Sequence, residues 1–166
     1  NGKAGNEVIT GSQAADDLNG GAGDDDFIIA DPDHHAAGED IDGGTGTDSI
    51  NFASTTADDI LVLNSGVDVE LVSMLDASAS ANNTAGLDID ASAVAASVDI
   101  DITGNTGDNE LSGNGGDNVI TGGDGADVLT GNAGDDVITN YETHDLSGNW
   151  ANSTIFGGKG QDTVNL

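Results

Sequence analysis

The chain has no cysteine, a single proline, 3 % aromatic residues and only two basic side chains among 166 residues. Without cysteine there is no disulfide framework and no thiolate-held metal. So few aromatics leave too little bulk for a conventional globular core, although 36 % hydrophobic residues, mostly aliphatic, is too many for simple disorder. No apolar run approaches ~18 residues and no secretory signal pattern is present, so neither a membrane span nor Sec-type export is written in the chain. Two basic against 31 acidic residues gives a formal charge of -29, which repels nucleic-acid phosphates and bare anionic membrane alike. Cations are the natural partners of such a surface.

What the chain has is glycine and aspartate. It carries 26 glycines, and its acids are 26 Asp against 5 Glu, a skew toward the short carboxylate of turns and tight chelation. Both are placed in register. The stretches GKAGNEVIT (2–10), GSQAADDLN (11–19), GGAGDDDFI (20–28), GGTGTDSIN (43–51), GNTGDNELS (104–112), GNGGDNVIT (113–121), GGDGADVLT (122–130), GNAGDDVIT (131–139) and GGKGQDTVN (157–165) share one nonapeptide template. It reads Gly, often Gly, any, Gly, any, Asp, any, large aliphatic, any. The aliphatic residue at position eight points away from positions seven and nine in a strand, so one side chain per repeat faces an interior.

This template resembles the calcium-binding nonapeptide of the RTX family. The resemblance implies an all-β fold, a right-handed parallel β-roll or β-solenoid with Ca²⁺ bound in the Gly-Asp turns. Six residues of each repeat make a turn, three make a strand, and two repeats make one coil. The residue types agree with that expectation. Glycine lets the backbone take positive φ and turn carbonyls toward one point, and a hard cation takes six to eight such oxygens at about 2.3–2.6 Å. Stacked aspartates with no metal between them repel, so folding is expected to depend on calcium.

Two stretches interrupt the register. HHAAGEDID (34–42) and GNWANSTIF (148–156) read as degenerate repeats preceded by bulges at 29–33 and 140–147. The chain therefore divides into an N-terminal calcium-binding block (1–51), a metal-free spacer (52–103) and a C-terminal calcium-binding block (104–166), forming one solenoid. In the spacer, alternation places Val67, Val69 and Leu71, then Leu87, Ile89 and Ala91, then Val98, Ile100 and Ile102 facing inward. An Ala-rich helix over 91–98 is the alternative there.

In the family a calcium sits between a nonapeptide and the one stacked a full coil later. The earlier repeat gives carbonyls at positions two and four with its position-six carboxylate, and the later one gives carbonyls at one and three with its own. Carried over, the best sites join Gly21, Gly23 and Asp25 to Gly43, Thr45 and Asp48, and Asn132, Gly134 and Asp136 to Gly157, Lys159 (carbonyl only) and Asp162. Weaker sites join Asn105, Gly107 and Asn109 to Gly122, Asp124 and Asp127, and Asn114, Gly116 and Asn118 to Gly131, Ala133 and Asp136, because asparagine brings no charge. Gly5 and Glu7 with Gly20, Ala22 and Asp25 form another weaker site. The pairs Asp16 with Glu39 and Asp127 with Ser153 are poorer still. Asp17, Asp24, Asp26 and Asp135, at positions five and seven, read as solvated surface carboxylates.

Other patterns carry less. Residues 99–110 have EF-hand ligand spacing but no flanking helix pattern. His34, His35 and His144 read as loop histidines or, less simply, a transition-metal site. Tyr141 and Trp150 read as a local hydrophobic plug or a sugar-stacking platform. The expected function is a non-enzymatic extracellular calcium-binding module of a larger bacterial surface protein, because the spacer also resembles the Ala/Ser/Thr-rich stretches of S-layer and adhesin proteins. The alternative is the folding and secretion region of a type I secreted toxin or hydrolase. End-to-end self-association through the terminal repeats is a further expectation.

Overall fold

The computed structural model describes residues 2–11, 16–30, 40–54, 56, 59–74, 86–140 and 153–166. His34, His35, Glu39, Tyr141, His144 and Trp150 lie outside the described residues. Among the described residues every strand pairing is parallel. One wall is an eight-stranded sheet of β1 (Val8–Thr10), β3 (Asp26–Ile29), β5 (Ser49–Phe52), β8 (Leu71–Met74), β10 (Asp101–Thr103), β12 (Val119–Thr121), β14 (Val137–Thr139) and β16 (Thr163–Asn165), in that order. The opposing wall is split. A three-stranded sheet holds β2 (Asp17–Ala22), β4 (Asp40–Thr45) and β7 (Val67–Asp68), and a five-stranded sheet holds β6 (Ile60–Val62), β9 (Asp88–Asp90), β11 (Glu110–Ser112), β13 (Val128–Ala133) and β15 (Thr154–Lys159). This is a parallel β-roll.

Register follows the position-eight aliphatics. Ile9 pairs with Phe27, Phe27 with Ile50, Leu18 with Ile41, Leu111 with Leu129, Ile102 with Ile120, and Ile120 with Ile138. Ile50, Val72, Ile102, Ile120 and Ile138 form a fully buried row on one wall, facing Leu61, Ile89, Leu111 and Leu129 on the other. Each such burial contributes roughly 1.5–3 kcal/mol. Because alternate side chains of short strands point inward, one in most strands and two in β3, β5 and β8, where Ile29, Phe52 and Met74 are buried as well, the core is a thin line rather than a globule.

The wall breaks at the coil between β5 and β8. There β7 pairs back to β4, while β6 pairs forward to β9. The spacer departs from simple alternation at the same coil: Val67 and Val69 are buried as expected, but Leu71 is only half-buried and Val72 takes the interior place. A bend at Glu70 resets the parity. Over 91–98 the chain makes two successive turns, with Val94 N–H donating to the Ala91 carbonyl (2.9 Å) and Val98 N–H to that of Ala95 (3.0 Å), instead of either a strand or a helix. No helix flanks 99–110, so its EF-hand spacing is coincidental. Ile29, expected in the first bulge, continues β3 and is buried.

Candidate metal centres

The turns on the edge leading into the eight-stranded sheet stack their position-six side chains into a ladder. Asp25 Oδ1 accepts from Glu7 N–H (2.8 Å), Asp48 Oδ1 from Asp25 N–H (2.8 Å), and Glu70 Oε2 from Asp48 N–H (2.9 Å). In the second block Asp136 Oδ1 accepts from Asn118 N–H (2.9 Å) and Asp162 Oδ1 from Asp136 N–H (3.2 Å). Each carboxylate thus spends one oxygen on the coil beneath it. The other oxygen is what matters chemically: Asp25 Oδ2 and Asp136 Oδ2 are buried with no hydrogen-bond partner.

Glycine at position one makes room for that second oxygen. A Cβ on Gly20 would strike Asp25 Oδ2 and come within 2.6 Å of the Gly43 carbonyl oxygen, and one on Gly131 would strike Asp136 Oδ2 and come within 2.5 Å of the Gly157 carbonyl oxygen. The carboxylate of one coil and a carbonyl of the next therefore share a cradle with no donor in it. Gly21 and Gly23 direct their carbonyls at the α-carbons of Gly44 and Gly46 in the next coil, as Asn132 and Gly134 do at Gly158 and Gly160. Positive φ at positions two and four turns these carbonyls upward, and Asn132 (φ 81) is the one non-glycine residue described with such an angle. The Thr45 and Lys159 carbonyls lie in the same gaps and accept from Gly23 N–H (2.8 Å) and Gly134 N–H (3.0 Å).

The structure thus brings together Gly21, Gly23, Asp25, Gly43, Thr45 and Asp48, and likewise Asn132, Gly134, Asp136, Gly157, Lys159 and Asp162. Among the described residues no three acidic or histidine side chains converge. Two carboxylates per gap, completed by main-chain carbonyls, is an all-oxygen donor set, and calcium fits it. Below Asp25, Gly5 N–H donates to the Ala22 carbonyl (2.6 Å) and Glu7 Oε2 accepts from Lys3 N–H (2.9 Å), so the longer acid bends back onto its own turn.

The turns 104–109 and 113–118 are built differently. Their position-two and position-four residues, Asn105, Gly107, Asn114 and Gly116, take no positive φ. Asn109 Nδ2 donates to the Leu87 carbonyl (2.8 Å) and to Asn105 Oδ1 (3.1 Å), while its Oδ1 accepts from Asn105 N–H (3.0 Å). Asn118 and Asn114 repeat the pairing (2.9 and 3.1 Å), and Asn114 Nδ2 also reaches the Ala95 and Val98 carbonyls (2.9 and 2.7 Å). Above them, Gly122 and Gly131 place their carbonyls beside the α-carbons of Gly104 and Gly113. Asp124 and Ala133 lie half-buried in those upper turns.

Three roles were not legible in the sequence. Glu70 extends the carboxylate ladder from within the spacer, and SGVDVELVS (65–73) does carry a glycine at position two, an acid at six and an aliphatic at eight. Position-five side chains form a second ladder running the opposite way: Asp24, Asp117 and Asp135 accept from Thr47, Asp135 and Gln161 N–H at 3.0, 2.8 and 2.9 Å. These exposed acids therefore tie coil to coil as well as meeting water. Asn140, read as the start of a bulge, is fully buried.

Burial raises three carboxyl pKa values, and neighbouring acids add to the shift. Burial pushes Asp48 up, and Glu70, Asp25 and Asp24 add to it against a lowering hydrogen bond from Asp25 N–H. Burial likewise raises Asp136, aided by Asp162, Asp117 and Asp135, and raises Asp101, aided by Asp99. For a carboxyl raised on folding, the stabilising protonated form is fully present below the unfolded value of about 3.9 and is lost as pH rises through the raised folded value. Acid is therefore expected to substitute in part for metal: in chelator, β circular dichroism should increase as pH falls from 7.5 toward 4.5. Equal spectra at both pH values would contradict this.

Four copies of the RTX calcium-binding nonapeptide repeat match the chain, over residues 1–28, 103–138 and 146–166. The chain belongs to the RTX family. Its hemolysin-type repeats bind Ca²⁺, are themselves non-catalytic and occur in secreted bacterial proteins. No curated protein and no solved structure matches the chain.

Proposed function

We propose that this RTX chain is a calcium-folded structural rod of a larger bacterial surface protein, of the S-layer or adhesin kind. Calcium binds between turns 20–25 and 43–48 and between turns 131–136 and 157–162. The observation that carries the assignment is the pair of buried, partnerless carboxylate oxygens, Asp25 Oδ2 and Asp136 Oδ2, each beside a carbonyl of the next coil. A buried carboxylate oxygen facing only other oxygens is costly unless a cation joins them. Ordering of two calcium blocks, 1–51 and 104–166, about the spacer 52–103 gives a rod, because the eight-stranded sheet runs through all three.

A structural role is supported by the spacer, whose coils continue the roll with a buried aliphatic row. In the extracellular medium millimolar calcium would hold such a rod extended. An antibody against the chain is expected to label intact producing cells, with chelator releasing or dissolving the labelled layer. Label found only in the supernatant, travelling with a soluble toxin or hydrolase activity, would favour a secretion region instead.

A further inference from the structure

The opposite edge of the roll, leading into the five-stranded sheet, is closed by amides. Turn 122–127 has the calcium-type backbone, with positive φ at Gly123 and Gly125 and an aspartate at position six. One carbonyl and both carboxylate oxygens of its half-site nevertheless receive protein donors. The Asn140 amide, oriented to satisfy both of its ends, directs its nitrogen to Asp127 Oδ2 (2.8 Å) and the Gly123 carbonyl (3.3 Å) and its oxygen to the Ser153 hydroxyl (2.8 Å). Ser153 Oγ, its one proton directed to the Asn140 amide oxygen, accepts from Asp127 N–H (3.0 Å). Asp127 Oδ1 accepts from Asn109 N–H (3.0 Å). The position-two carbonyl and both carboxylate oxygens are thereby engaged.

We infer that Asn140 is a built-in cation surrogate: its amide nitrogen takes the place of calcium between turn 122–127 and Ser153, and the edge formed by 104–109, 122–127 and 153 binds no metal. The inference rests on the calcium reading above and deepens it, because it confines calcium to the edge where Asp25 and Asp136 keep an unengaged oxygen. An NH₂ group suits the position. It offers two donors to the oxygens a cation would otherwise hold, and it is fully buried, so water does not compete. Ser153 completes the exchange, since a hydroxyl in the ladder position of a carboxylate brings no charge for a metal to balance. Calcium-dependent assembly is then one-sided, and the amide edge holds neighbouring coils in register while the other edge fills.

Calcium counting by native mass spectrometry on the full chain tests this. Asp127→Asn is expected to keep the wild-type number of ions, whereas Asp136→Asn loses at least one. Should Asp127→Asn fail to fold, Asn140→Asp gives a second reading: a carboxylate facing Asp127 calls for a cation, and one ion is gained in saturating calcium. Loss of an ion in Asp127→Asn, or an unchanged count in Asn140→Asp, would overturn the surrogate. A wild type that binds no calcium would overturn the calcium reading itself, a result distinct from either.

Discussion

In excess chelator at neutral pH the chain is expected to lose its β-sheet circular dichroism, and millimolar calcium is expected to restore it. The core is one or two apolar side chains per strand, which is little apolar surface to set against the backbone entropy of ordering nine residues per repeat. The formal charge of -29 adds self-repulsion, concentrated where position-six acids stack coil upon coil. Calcium reverses the sign of that interaction. Binding to the folded state alone stabilises it by about 2.7 kcal/mol per site at a hundredfold excess over Kd, and several sites make the transition steep. A β spectrum unchanged by chelator would show that hydrogen bonding and core suffice.

Asp136→Ala is expected to raise the calcium midpoint about tenfold or more, while the adjacent Asp135→Ala shifts it by no more than about threefold. Asp136 is buried, holds Asn118 N–H through one oxygen and presents the other to the gap shared with Asp162. Its removal takes a charged ligand and a ladder bond together, and about 1.4 kcal/mol already corresponds to tenfold. Asp135 is exposed, and its contribution is one hydrogen bond from Gln161 N–H, about 1 kcal/mol net. Midpoints followed by circular dichroism decide the matter. Equal shifts would mean that position six is not the ligand position.

These two neighbours also mark how far residue order carries. The nonapeptide period announced the coil, the parallel walls and the inward row from Phe27 to Ile138, because a two-residue strand alternation and a repeated glycine turn are local properties. Position six was legible for the same reason. A turn with glycine at one, two and four leaves one place where a short acid can reach the stacked gap.

Partnership across coils was not local. Glu70 joins the ladder because a bend in the spacer brings it above Asp48, and nothing nearby in sequence resembles a full repeat. The asparagines at 109 and 118 looked like weakened ligands by residue type. Stacking gave their amide nitrogens, and that of Asn114, other partners: the carbonyls of Leu87, Ala95 and Val98 in the coil below or the Asn partner in their own turn. Asn140 is the extreme case, a residue outside any repeat that folds back to meet Asp127 and Ser153. The sequence by itself determined that calcium-type turns exist and where their acids stand. Only the tertiary structure decided which carboxylate oxygens remain without a donor, since that depends on what the next coil, many residues away, places against them.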